Sequence, residues 1–143
     1  MEKVAVLALD VGRKRIGVAG CDGLGLLATG LGTINRTSPE ADLAAIRHWV
    51  ETRKVTILVI GLPYSLDGSL GKQAKFTQKF ARRISQALEL PLEYVDERLT
   101  SVAAEAVLKS KNKSFRDNKG LVDREAAQII LQQWLDQRRS GKE

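Results

Sequence analysis

Val4 to Leu9 is an unbroken apolar run with the length and β-branched content of a strand buried on both faces. It stops at Asp10 and passes at once into a loop carrying Arg13, Lys14 and Arg15. Residues Arg15 to Ala19 alternate enough to return as a hairpin arm, and Leu26 to Ile34 reads as a third strand after a turn marked by Gly23 and Gly25. The pattern then changes period. "TSPEADLAAIRHWVETRK" predicts a helix capped by Thr37 or Ser38, with Pro39 in its first turn and Leu43, Ile46 and Val50 on its apolar stripe. Val55 to Gly61 is a second fully buried strand, ended by Gly61 and Pro63.

A helix from about Gly71 to Leu88 follows, with Phe76, Phe80, Ile84, Ala87 and Leu88 on one side and Lys72, Lys75, Lys79, Arg82 and Arg83 gathered on another. "PLEYVD" makes a short fifth strand that runs out at Asp96-Glu97. Thr100 or Ser101 can cap the next helix, through about Lys109, and "KSKNKSFRDNKG" is a basic, polar loop. The last helix is expected from about Val122 to Gln137, with residues 136–143 a polar tail. Strands joined by tight turns, then helix and strand in alternation, predict an α/β fold with a mixed sheet and helices packed on its faces. At 143 residues a single domain spanning 1–143 is the natural expectation.

Composition narrows the chemistry. Cys21 and His48 are the single cysteine and the single histidine, so a disulfide, a thiolate zinc site and a histidine cluster are all excluded, and catalysis falls to Asp and Glu. No segment approaches the roughly 20 apolar residues of a membrane span, and the N-terminus lacks the layout of a signal peptide, which makes the cytoplasm the default location. The formal charge of +6 suits a polyanionic partner such as nucleic acid.

Carboxylates fall at suggestive places. Asp10 closes the first strand, although with Gly12 it also makes an ordinary turn. In the last helix Asp123 shares the apolar side with Ala126, Ala127, Ile130 and Trp134, and an acid there needs a partner. That partner is either a cation of the protein, with Arg98 or Arg124 as candidates, or a metal ion shared with Asp10 and Glu97. Oxygen donors without histidine or thiolate suit Mg²⁺ or Mn²⁺. Such ions activate water and stabilise the leaving oxygen in phosphodiester hydrolysis. Asp96 either joins Glu97 as a ligand or caps the helix at Thr100 and Ser101. "GLPYSLDGSLG", through Gly61, Pro63, Asp67 and Gly68, lets backbone approach a phosphate at a helix N-terminus, or is simply a turn. The basic helix stripe is either a solvated face or a phosphate-facing one.

"LALDVGRKRIGVAGCD", "VIGLPYSLDGS", "YVDERLTSVAAEAVL" and "KGLVDREAAQIILQQWL", in this order, resemble the blocks of YqgF/RuvX proteins. That bacterial family is described both as Holliday junction resolvases and as pre-16S ribosomal RNA nucleases. The resemblance implies an RNase H-like fold, a mixed five-stranded sheet (β-β-β-α-β-α-β-α) with helices on both faces, and a metal-dependent nuclease site. Matched block by block, the family's acidic positions fall on Asp10, Glu97 and Asp123. Related RuvC-type resolvases carry a fourth acidic position that has no clear match here; either Asp96 compensates for it, or water and a substrate phosphate complete the metal shell. Arg13, Lys14 and Arg15, with Lys72, Lys75, Lys79 and Arg82, are the expected contacts to the substrate backbone.

The family implies hydrolysis at the 5′ end of pre-16S rRNA during ribosome biogenesis as the first reading, with small-subunit precursors as partners. Holliday junction resolution on branched DNA is the second, and a resolvase would act as a two-fold dimer; the sequence leaves monomer and homodimer open. Two other classes compete. An actin-like ATPase would match "DVGRKRIG" as a phosphate loop, but needs a second such domain, for which this chain is too short. A non-catalytic RNA-binding assembly factor fits the charge and leaves Asp123 without a purpose.

Overall fold

The computed structural model of the protein describes residues 5–62, 71–96 and 119–140. The elements among them are β1 (Val6–Val11), β2 (Arg15–Cys21), β3 (Ala28–Asn35), α1 (Pro39–Arg53), β4 (Ile57–Leu62), α2 (Lys72–Leu88), β5 (Leu92–Asp96) and α3 (Lys119–Ser140). The strands form one five-stranded sheet in the order β3-β2-β1-β4-β5. The β1–β2 and β2–β3 pairs are antiparallel, while β1–β4 and β4–β5 are parallel. The mixed α/β sheet expected from the element order is therefore present, with β1 where its antiparallel and parallel halves meet. The predicted helix of residues 100–109 and the basic loop after it lie outside the described residues.

Both faces of the central strand are apolar because both are covered. Val6 and Ala8 of β1 pack with Ala19, Val59 and Val95 against Ala127, Ile130, Leu131 and Leu135 of α3. Leu7, Leu9 and Val11 point the other way, with Ile16, Leu58 and Ile60, onto Ile46 of α1 and Phe80, Ala81 and Ile84 of α2. Each large aliphatic side chain so buried contributes about 1.5–3 kcal/mol relative to exposure. Among the described residues helices thus lie on both faces, α3 on one and α1 with α2 on the other.

Element bounds shift in informative ways. The first strand runs through Asp10 to Val11, so the carboxylate sits inside the ladder and not beyond its end. The third strand starts at Ala28 because Leu26 and Leu27 belong to the turn, where Asp22 holds their backbone amides. Ser38, not Thr37, caps α1, its hydroxyl accepting from the Ala41 amide at 3.1 Å. The buried stripe of α2 is Ala74, Thr77, Phe80, Ala81 and Ile84. Ala87 is exposed and Phe76 remains 43% exposed, its ring covering the guanidinium of Arg36 at 5.5 Å. The last helix runs past the expected Gln137 to Ser140 through helix-compatible Gln and Arg, and Arg138 lies over the Trp134 ring.

The parallel strands β1, β4 and β5 all run towards one edge of the sheet, ending at Val11, Leu62 and Asp96. β2 begins at that same edge with Arg15. Carboxyl ends of parallel strands are where ligands bind in open α/β sheets.

Candidate functional site

Asp10 is half-buried and shares the alternation phase of Val6 and Ala8, so it belongs to the face covered by α3. Its partner across the ladder is Gly17. A Cβ at Gly17 would collide with the backbone carbonyl of Asp123, so α3 touches the sheet beside Asp10 and only glycine lets it come that close. Arg15 lies two residues before Gly17 on the same side of β2. Its Nε donates to Asp123 Oδ2 at 2.6 Å, with 29% of the Arg15 side chain and 21% of the Asp123 side chain exposed. A pair this wet contributes only about 1 kcal/mol, so its effect is chiefly to orient the Asp123 carboxylate. Asp10, Arg15 and Asp123 thus gather on one face at the carboxyl edge. Of the two candidate cations, Arg98 lies outside the described residues, and Arg124 lays its aliphatic stem over Gly30.

The loop between β1 and β2 is tied down by a residue that sequence reading passed over. Arg36 donates from Nη1 to the Gly12 carbonyl at 2.8 Å and from its backbone amide to the Lys14 carbonyl at 2.9 Å. Its Nε donates to Asp42 Oδ2 at 3.0 Å, and its guanidinium stacks on Phe80 at 4.5 Å. Asp42 is buried and also accepts from the Thr37 amide, so Arg36 links the loop to α1 and α2 through a shielded ion pair. Within the loop, the Gly12 amide donates to the Arg15 carbonyl at 2.8 Å.

The cations divide into near and far. Arg13 and Lys14 are exposed at the loop, and Arg13 Nε donates to Gln73 Oε1 at 3.2 Å, which sets the loop against the first turn of α2. That turn contains no acid, and Lys72 and Lys75 are exposed there. Lys79 and Arg82 are also exposed, but a helix rises about 1.5 Å per residue, so they recede from the loop along the opposite face of the sheet. Asp96 has the alternation phase of Leu92 and Tyr94, which pack with α1 and α2, so β5 aims it to the face opposite Asp10. Gly61 is buried in β4, in register with Val95. Glu97, Pro63, Asp67 and Gly68 lie outside the described residues. Among the described residues no three metal-ligating side chains come together; Asp10 and Asp123 lie on the α3-covered face at the carboxyl edge, while Glu93 of that face accepts from Trp134 Nε1, and as oxygen donors Asp10 and Asp123 fit a hard divalent cation.

This sheet order and this placement of acids define an RNase H-like α/β protein with its carboxylates at the carboxyl edge of the central strand. The chain belongs to the RuvX family, whose model, described as "RuvX: Holliday junction resolvase", matches residues 4–137. A protein of Picosynechococcus sp. named "Putative pre-16S rRNA nuclease" is 69% identical over 138 residues, covering 96% of each chain. A protein of the same name from Crocosphaera subtropica is 66% identical over 141 residues, covering 99% of each. Among solved structures, Thermus thermophilus RuvC in complex with Holliday junction substrate superposes with a TM-score of 0.58 over 95% of this chain and 96% of that one. At 11% identity that likeness concerns the fold.

Proposed function

We propose that the protein is a divalent-metal-dependent endonuclease that cuts the phosphodiester backbone at the 5′ end of pre-16S rRNA. The observation that carries this reading is the meeting of Asp10 and Asp123 on one sheet face beside an anchored loop of cations. The substrate is that named for the relatives at 69% and 66% identity. Asp10, Asp123 and Glu97, which directly follows β5, hold Mg²⁺ or Mn²⁺; Asp96, phased to the other face, is left out of the set. The ion supplies Lewis-acid stabilisation of charge on the phosphate oxygens and a more acidic water.

The protein's own residues do the rest. In the free protein Arg15 pairs with the Asp123 carboxylate, and Arg36 fixes the loop that carries Arg13 and Lys14. Those cations, with Lys72 and Lys75 beyond them, bind backbone phosphates and set the register of the strand, while reading little of its sequence. Lys79 and Arg82 take the strand further along α2. Cutting one RNA strand needs one site, so a monomer suffices.

The test is cleavage of a precursor small-subunit RNA fragment and a four-way DNA junction, side by side, with Mn²⁺, Mg²⁺ or chelator, for the wild type and Asp10→Asn. Metal-dependent cutting of the RNA, lost in the variant, is the expected result. Cutting confined to the junction would make the protein a resolvase. Binding without cutting under every condition would make it a non-catalytic assembly factor.

A further inference from the structure

The ion pair at the head of the site has a consequence for how an ion enters it. Arg15 Nε lies 2.6 Å from Asp123 Oδ2, on the same sheet face as Asp10. The Asp123 backbone rests directly on Gly17 of β2, which sets its carboxylate beside Arg15. A guanidinium at that distance occupies one carboxylate oxygen and sets a positive charge beside any cation that Asp123 takes.

We propose that Arg15 is a built-in competitor for the ion at Asp123, released when a substrate phosphate draws its guanidinium away. This rests on the reading of Asp10 and Asp123 as ion ligands. Charges of +1 and +2 about 4 Å apart repel enough in bulk water to weaken binding roughly thirtyfold, and roughly tenfold with physiological salt screening. A phosphodiester is a good rival for Arg15, because its oxygens match the planar donors of the guanidinium. Once Arg15 turns to phosphate, the Asp123 carboxylate is open to the ion. Nucleic acid and ion then favour each other's binding, and by linkage the effect is reciprocal. Without nucleic acid, the Arg15–Asp123 pair keeps the site poorly loaded, which restrains cutting to occasions when a backbone is already seated.

Mn²⁺ titration followed by the electron spin resonance of the free ion tests this on the whole protein without nucleic acid. Arg15→Gln should bind Mn²⁺ about tenfold more tightly than wild type, and Arg15→Lys, which keeps the charge, should stay within about threefold of wild type. Asp123→Asn should bind more weakly, and Arg15→Gln added to it should regain no more than about threefold, because without the carboxylate nothing holds the guanidinium within about 4 Å of the ion. Circular dichroism establishes that each variant is folded, and Arg15→Met, which is also neutral and keeps the aliphatic stem, takes its place if Arg15→Gln is not. Unchanged or weaker Mn²⁺ binding in Arg15→Gln, with Asp123→Asn still impaired, would overturn the competition and leave the ion site standing. A full tenfold gain in the Asp123→Asn background would reduce the effect to net charge and overturn the assignment to Asp123. No Mn²⁺ binding by any of the proteins would sink the ion site itself.

Discussion

Gly17 and Asp123 meet where α3 crosses β2, and the meeting depends on a side chain that is absent. The Gly17 position faces the Asp123 carbonyl so closely that a methyl group has no room, and the following amide of Arg124 lies just beyond. Because Gly17 pairs with Asp10 across the ladder, the same contact brings the two carboxylate-bearing residues to one place. Gly17→Ala should therefore push the start of α3 off the sheet. The backbone cannot rotate away as a flexible side chain would, so the cost should reach about 3 kcal/mol, the upper part of the usual overpacking range. Urea unfolding should show a lower midpoint at an unchanged slope. Stability equal to wild type would mean that α3 is not docked at Gly17 in solution.

Arg36 should matter to the loop as much as any residue in it. Its partner Asp42 is nearly inaccessible, so Arg36→Ala leaves a buried carboxylate uncompensated. Breaking such a pair costs about 3–5 kcal/mol. Arg36→Lys keeps a charge but cannot span Asp42 and the Gly12 carbonyl together, so a smaller loss of about 1–2 kcal/mol is expected. In Arg36→Ala/Asp42→Ala the two losses should fall short of their sum, since removing both partners leaves no orphaned charge. Denaturant unfolding of the wild type, Arg36→Ala, Arg36→Lys, Asp42→Ala and the double variant checks this. In cleavage assays the substrate KM of Arg36→Lys should rise more than kcat falls, because the loop that is loosened binds phosphate.

How much of this could be read beforehand follows from how local each signal is. The described strands and helices were legible because unbroken apolar runs and period-3.6 patterns are written within a few residues, as in Val4 to Leu9 and around Ile46. Asp10 and Asp123 stood out because an acid closing an apolar run, or lying on an apolar stripe, is locally anomalous. The partner of Asp123 was not legible: Arg15 is 108 residues away, and the neighbouring cations looked equally good. Arg36 was missed because a single arginine between a strand and a helix looks like a linker, and its worth comes from Gly12, Asp42 and Phe80 converging on it. The orientation of Asp96 was ambiguous for a different reason. "LEYVD" carries apolar residues in both phases, and only the packing of Leu92 and Tyr94 with α1 and α2 separates them.

The turn at Asp22 carries its own pH signature. Its Oδ1 accepts from the amides of Leu26 at 2.8 Å and Leu27 at 2.9 Å. The Leu27 amide is the main influence holding the carboxyl below its ordinary value, with Leu26 adding to it and desolvation opposing. A pKa depressed by folding contributes stability that is present above the unfolded value and lost as pH falls through the folded one. Acid should therefore loosen this hairpin turn only below the ordinary Asp range, and Asp22→Asn should remove that step. Carboxyl-carbon NMR titration reads the midpoint directly, and an ordinary midpoint would show that the two amides do not bind the carboxylate in solution.

The β3 edge of the sheet is closed by side chains of α3. Gln128 Oε1 accepts from the Gly30 amide at 3.0 Å, and Gln132 Oε1 accepts from the Ala28 amide at 2.9 Å. Gln132 Nε2 also donates to the Leu26 carbonyl at 3.1 Å, so residues one helical turn apart stand in for a further strand. Open strand edges recruit other chains, and this one adjoins a turn with Leu24, Leu26 and Leu27 all more than half exposed. Gln128→Ala/Gln132→Ala should cost about 1 kcal/mol per hydrogen bond lost and, more tellingly, speed amide exchange at Ala28 and Gly30. Light scattering should then show association beyond that of wild type at matched concentration. Gln132→Glu is the control: its carboxylate can still accept from the Ala28 amide but cannot donate to Leu26, so exchange at Ala28 should stay slow. Wild-type exchange in the double alanine variant would mean that something other than these glutamines guards the edge.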